Sequence, residues 1–241
     1  MSTPAVAVDG VIKAYGGLRP LRLKQLTVEA GEHIGLAGFD QTTAELFVNL
    51  VTGATLPDEG TVTIFGRATS AITDSTDWLA TVEQFGIVSE RAVLLDQISA
   101  AQNIAMSLTL DIDPMARDVS DQVGALGAAV GLDAATLDRP IQGTSVAIRH
   151  RIRIARAIAG HPKMLLVEHP LAGVEAGEVA ALGADLARVA QSRGLAVVVL
   201  AGSVEAARPF ARRVLALNAA TGDLTEAKSG FLSRLFRSSD R

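Results

Sequence analysis

Six short apolar runs rich in β-branched residues punctuate the chain: "HIGLAG", "TVTIFG", "FGIVS", "MLLVEH", "LAVVVLAG" and "RVLALN". Each has the length and bounding turn residues of a buried strand, and alanine-rich stretches of helical pattern lie between them. That alternation restricts the chain to α/β architectures. One region breaks the rhythm. "SAAQNIAMSLTL" and "DQVGALGAAVGLDAATL" read as helical with no strand between them, which predicts an inserted helical subdomain at about 91–160. Turn residues in "LPDEG" lead into a strand, and "AATGDL" predicts a hairpin turn near the end. With 241 residues, 49% of them apolar, there is core enough for one large α/β domain or two small ones.

Several function classes are excluded or disfavoured at once. A net charge of −4 with a single Trp and a single Tyr offers neither the basic surface nor the stacking platforms of a nucleic-acid binder, so no nucleic-acid partner is expected. The absence of cysteine removes disulfides, thiolate metal sites and thiol nucleophiles. The first ten residues, "MSTPAVAVDG", lack a basic segment and a sustained apolar stretch, and no run approaches the ~20 apolar residues of a membrane span. The expected location is cytoplasmic, peripheral to a membrane only through a partner. Residues 227–241 form a basic tail that puts Phe231, Leu232, Leu235 and Phe236 at helical spacing among Lys228, Arg234 and Arg237. It suits a membrane surface, a partner helix or its own domain.

The stretch "GEHIGLAGFDQTTAELFVNLVTG", Gly31 to Gly53, has the layout of a phosphate loop: a strand ending in glycine, a polar loop, then a helix with Leu46, Phe47, Leu50 and Val51 apolar. Around it, in order, stand "VIKAYGGLRPL", "LPDEGTVTIFG" and "RIRIARAIAGHPKMLLVEHPLAGVE". These resemble the adenine loop, the strand pair after the phosphate loop, and the signature helix, Walker B strand and D-loop of ATP-binding cassette (ABC) transporter nucleotide-binding subunits. The resemblance covers nearly the whole chain. It implies an α/β P-loop fold of ABC type over residues 1–226, with a RecA-like core, an antiparallel β-subdomain and the helical insertion.

The departures from that family fall on the residues that do its chemistry. In the phosphate loop, Gly38 is kept, Gln41 and Thr43 stand at two glycine positions, and Thr42 lies between them. Ala44 takes the place of the phosphate-binding lysine and Glu45 that of the magnesium-binding hydroxyl. Losing a cation from a polyanion site and adding a carboxylate both weaken triphosphate binding. Glu90 stands at the Q-loop glutamine. The signature reads Thr144, Ser145, Val146, Ala147, Ile148, and the side chains of Val146 and Ala147 would obstruct the approach of a phosphate to that helix N-terminus. Glu168 and His169 occupy the two Walker B acid positions, Glu175 the D-loop aspartate, and Gly202 the switch histidine. His169 reads either as a general base or as a strand-end histidine. Glu45 and Glu168 together are candidate ligands for a divalent cation without nucleotide. Tyr15 occupies the adenine-stacking position, where it either stacks on a base or packs on its own β-subdomain. The basic run Arg149, Arg151, Arg153 and Arg156 with His150 suits phosphate, an acidic partner or a solvated face.

The resemblance therefore implies an ABC-type subunit with hydrolysis lost and ATP/Mg binding weak or absent. Its partners would be an integral-membrane permease and a second, intact ABC subunit in a heterodimer. Docking would use the segment from Glu90 to Ile98, the D-loop from Gly173 to Glu175, and the tail. The alternatives are an active ATPase with unusual residues and a cytosolic scaffold unrelated to transport.

Overall fold

Ten strands and eight α-helices make up residues 3–227, the part of the chain that the computed structural model describes. The tail reading at Phe231 to Arg237 lies outside those residues. Five of the six runs, as β6 (Phe85–Val88), β7 (Met164–Glu168), β8 (Ala196–Ala201), β3 (His33–Ala37) and β9 (Arg213–Leu217), form the parallel part of a six-stranded sheet. Its order is β10-β9-β3-β8-β7-β6, with β10 (Leu224–Glu226) antiparallel at the edge. Every residue of β3, β7 and β8 is buried. A strand covered on both faces cannot alternate with polar residues, and that is why these runs are continuously apolar. The two faces feed different cores. Leu165, Val167, Val197 and Val199 pack with the inserted helices, whereas Met164, Leu166, Val198 and Leu200 pack with α1 (Gln41–Val51) and the second sheet.

That second sheet is antiparallel, ordered β2-β1-β4-β5, from β1 (Val6–Lys13), β2 (Leu21–Val28), β4 (Glu59–Ile64) and β5 (Arg67–Ala68). The sixth run, "TVTIFG", supplies β4, and "LPDEG" leads into it. β1 and β2 are not among the six runs, for a physical reason. One face is solvated, so β2 reads LRLKQLTV with buried and exposed positions interleaved and never forms an apolar block. The turn read at "AATGDL" joins β9 to β10. It reaches the other sheet, where the Lys24 backbone N–H donates to the Gly222 carbonyl and Lys24 pairs with Asp223 at 2.8 Å.

Between β6 and β7 lie only helices: α3 (Ala100–Ala105), α4 (Arg117–Ala129), α5 (Ala134–Leu137) and α6 (Val146–Ala159). The inserted lobe is seated directly on the sheet at Gly86, where a Cβ would come within 2.4 Å of the Ala157 carbonyl oxygen of α6. The remaining helices are α2 (Ser75–Val82), α7 (Ala176–Arg193) and α8 (Val204–Ala207). Among the described residues no helix is long and apolar enough to cross a membrane.

Candidate functional site

β3 is followed by Gly38, whose φ of +91° strains any other residue and where a Cβ would lie 3.2 Å from the Leu217 carbonyl oxygen. The chain then turns into α1, with Asp40 as its N-cap. A helix N-terminus presents unpaired N–H groups and a partial positive charge, and so favours an anion. Here the anion is internal. Asp40 Oδ1 accepts from the Thr43 backbone N–H at 2.8 Å and from the Thr43 hydroxyl at 2.7 Å. Those bonds hold its carboxyl below the usual aspartate range, the Thr43 N–H first among them, with the charge of nearby His169 adding a smaller effect. Ala44 is fully buried in the core beneath.

One turn on, Glu45 meets a partner that the sequence reading did not single out. Arg91, in the segment after β6, pairs through Nη1 with Glu45 Oε1 at 2.8 Å and through Nη2 with Glu168 Oε1 at 2.5 Å. Glu168 ends β7 with 1% of its side chain exposed, and its second oxygen accepts from the Ser89 hydroxyl at 2.7 Å. The structure thus places Glu45 and Glu168 on either side of a guanidinium, at the positions where the resemblance put candidate ligands of a divalent cation. No group of three or more His, Asp or Glu side chains placed to hold a metal occurs among the described residues. Glu90, which the resemblance places at the Q-loop, is itself exposed. Two converging carboxylates, one of them buried, require a cation, but nothing in the sequence singled out Arg91 to supply it.

His169 follows Glu168 in a left-handed conformation, φ +46°, with its N–H donated to the Leu200 carbonyl at 2.9 Å and its Nε2 buried without a partner. Between the two sheets, Tyr15, Arg19, Arg22, Asp40, Thr43 and Gly202 face a cavity of about 280 Å³. Tyr15 packs on the core of the antiparallel sheet, one of the two roles expected of it, and also lines this cavity. Gly17 passes so close to the ring that a Cβ there would lie 2.8 Å from it.

The signature residues stand apart from this cluster. Ser145 caps α6, and its hydroxyl donates to Glu178 of α7 at 2.9 Å. One expectation is corrected: Ala147 is buried in this chain's own core, so of the two side chains said to obstruct the helix N-terminus only Val146 is partly exposed. α6 turns its first residues inward for packing, which a strip of sequence does not reveal. The arginines of α6 serve internal contacts. Arg149 pairs with Asp96 at 2.8 Å, Arg151 with Asp185 at 2.7 Å, and Arg153 and Arg156 donate to the carbonyls of Ala92 and Val93.

A family model described as "ABC transporter" matches residues 21–172. The lipoprotein-releasing system ATP-binding protein LolD 2 of Caulobacter vibrioides is 30% identical over 221 residues, covering 90% of this chain and 96% of that protein. The phosphonates import ATP-binding protein PhnC of Hyphomonas neptunium is 29% identical over 244 residues, 96% of this chain and 91% of its own. Among solved structures, CbiO1 of Clostridium perfringens, part of an ABC transporter complex, superposes with a TM-score of 0.76 at 17% identity, covering 98% of this chain and 92% of its own. A dimeric bacterial ABC transporter cassette does so at 0.72 and 21%, covering 94% and 100%.

Proposed function

The chain belongs to the ABC transporter family of ATP-binding subunits, and from that premise we propose that it is a non-hydrolytic member, which docks on a membrane permease beside a second, intact ABC subunit. The observation that carries this reading is Asp40. Its carboxylate accepts the Thr43 N–H and hydroxyl at the start of α1, where an anion would otherwise be received. With Ala44 buried and no cation supplied by the loop, a triphosphate would meet an ionised carboxylate at the helix N-terminus itself, the arginines of the cavity, Arg19 and Arg22, lying outside the loop. The residues present do not fit a magnesium triphosphate, so ATP/Mg binding is weak or absent, and neither Glu168 nor His169 has a reaction to catalyse. The base end differs: Tyr15 still faces the cavity.

What remains available is surface. A groove of about 580 Å³ runs between Leu79, Phe85, Ala92, Arg153 and Arg156 beside the segment from Glu90 to Ile98, and Val93 in that segment is 69% exposed. It suits a permease segment, with the stretch from Gly173 to Glu175 facing a partner subunit; the location is then peripheral to the cytoplasmic side of a membrane. Purified protein is expected to show no magnesium-dependent ATP hydrolysis above a blank. Ala44→Lys alone would not restore it, because Asp40 remains. Affinity capture from native membranes is expected to recover a permease and an intact ABC subunit in yields unchanged by ATP. Turnover lost on mutating Glu168, or a homodimer that forms only with ATP, would overturn the reading.

A further inference from the structure

We propose that the residues after Ala227 return into the groove between β2 and β10 as an added strand, so that the chain covers two open sheet edges of its own. β2 and β10 are edge strands of their respective sheets. One backbone bond ties them, from the Lys24 N–H to the Gly222 carbonyl at 2.9 Å. Beside that tie they bound a groove of about 570 Å³, whose apolar lining is Leu26, Leu215 and Leu224. Backbone alternation gives both walls pairing groups to spare. Lys24 turns its N–H away from β1, so Leu26 does the same two residues on. The Asp223 carbonyl bonds Asn218 and the Ala227 N–H bonds Val214, both on the β9 side, so the N–H and carbonyl groups of Leu224 and Glu226 point the other way. Open edges of this kind accept an extended segment through main-chain bonds, with side chains settling on the apolar lining.

The occupant is identified by where the chain goes. Ala227 ends the pairing with β9 beside the groove, and fourteen residues follow it. Lys228-Ser229-Gly230 comes first, a sequence suited to the three-residue reversal of a hairpin with glycine last. Phe231, Leu232, Leu235 and Phe236 then supply apolar side chains. Charge selects the side. A second cavity at the end of β10 is lined by Arg208, Arg212 and Arg213, whereas the groove sets Glu29, Glu32 and Asp223 against Lys24 and Arg213. A segment that sets Lys228, Arg234, Arg237 and Arg241 against Asp240 is drawn towards the carboxylates and away from the arginines. The sheet order keeps this use clear of the groove proposed for a permease, because β6 lies five strand spacings, about 24 Å, from β10. Releasing the segment would uncover a strand-accepting edge on the side of the molecule away from that groove. The inference is independent of the proposed function, and ATP hydrolysis does not bear on it.

Because the chain has no cysteine, the placement can be trapped in the full-length protein. Ser233→Cys combined with Gln25→Cys or Thr27→Cys, both on the groove, should close an intrachain disulfide on mild oxidation at high dilution. Ser233→Cys combined with Glu83→Cys, beside β6, should not. In hydrogen exchange, the amides of Leu26, Leu224 and Glu226 should exchange on the order of tenfold or more faster in a chain ended at Ala227 than in the parent. The full-length double variant Lys228→Glu, Arg234→Glu should show the same acceleration, with the amides of β7 as slow as in the parent in both, which reports an intact fold. Parental exchange at the three amides in both variants, or failure of both groove disulfides to form, would overturn the proposal. So would a disulfide between two chains, which assigns the groove to a second copy. Binding of the parent to phosphatidylglycerol vesicles that is lost in the shortened chain would overturn it too, by assigning the segment to a membrane surface.

Discussion

Two side chains carry the clearest single-residue consequences. Asp40 caps α1 through the Thr43 N–H, and loss of an N-cap of this type costs about 1 kcal/mol. Asp40→Ala is expected to lose about that much in urea unfolding, and Asp40→Asn, which still caps, much less. His150 is the second case. It is 1% exposed, both ring nitrogens lack a partner, and burial foremost, then the charge of Arg153, lowers its affinity for a proton below the ordinary value of 6.5, with Glu90 and the Ala172 backbone opposing. With the folded value below the unfolded one, the unfolded chain binds more protons as the pH falls through about 6.5. Stability contributed by neutral His150 is thus fully present above that pH and declines below it. His150→Leu should unfold with a shallower loss between about pH 7.5 and about pH 5.5, the remaining slope including His33, whose proton affinity burial also lowers. A pH slope identical to the parent's would show that His150 is not its source. Neither role was legible beforehand, since a capping carboxylate and a loop carboxylate are the same letter, and the burial of one imidazole depends on which face of α6 turns inward.

Elements were far more legible than contacts. The strands buried on both faces announced themselves as apolar blocks, and the helices of the insertion by the absence of such a block between β6 and β7. β1 and β2 did not, because half-solvated strands dilute their apolar residues with Arg22, Lys24 and Gln25. Glu45 and Glu168 could be placed together from the resemblance. Arg91 could not, since the closing of a charged cluster depends on where a loop is held, and this loop is held by arginines of α6. The seat of α6 on β6 is a prediction at this scale. At Gly86 a methyl would meet the Ala157 backbone oxygen at 2.4 Å and a Leu165 methyl at 2.6 Å, so strand and helix must separate to admit it. Overpacking of this kind costs about 1–3 kcal/mol. Gly86→Ala should lower the thermal midpoint accordingly and broaden the distance between labels on α4 and β4. A variant with the parent's midpoint and distance would show that the contact has slack.

The whole molecule is organised by a sheet whose spatial order departs from the order of synthesis. β3, which carries the loop of Gly38 to Glu45, pairs with β8 on one side and β9 on the other, and with no earlier strand. The antiparallel sheet, by contrast, is built from β1, β2, β4 and β5 alone, all within the first 68 residues. A ribosome delivering this chain therefore releases one sheet ready to close and one central strand that must wait. Until residues 196–217 emerge, β3 has no partner on either edge, and distant pairings of this sort form late because their loop closure must come first. A chain stopped at Arg212 would possess β8 and lack β9, leaving one edge of β3 bare, and should be cut by protease around β3 far faster than the full-length protein. Equal resistance of the two would contradict this order. The clasp of the last hairpin on Lys24 then acts as a completion mark: among the described residues, the final stretch to be translated adds a polar tie between two sheets that already share one hydrophobic core.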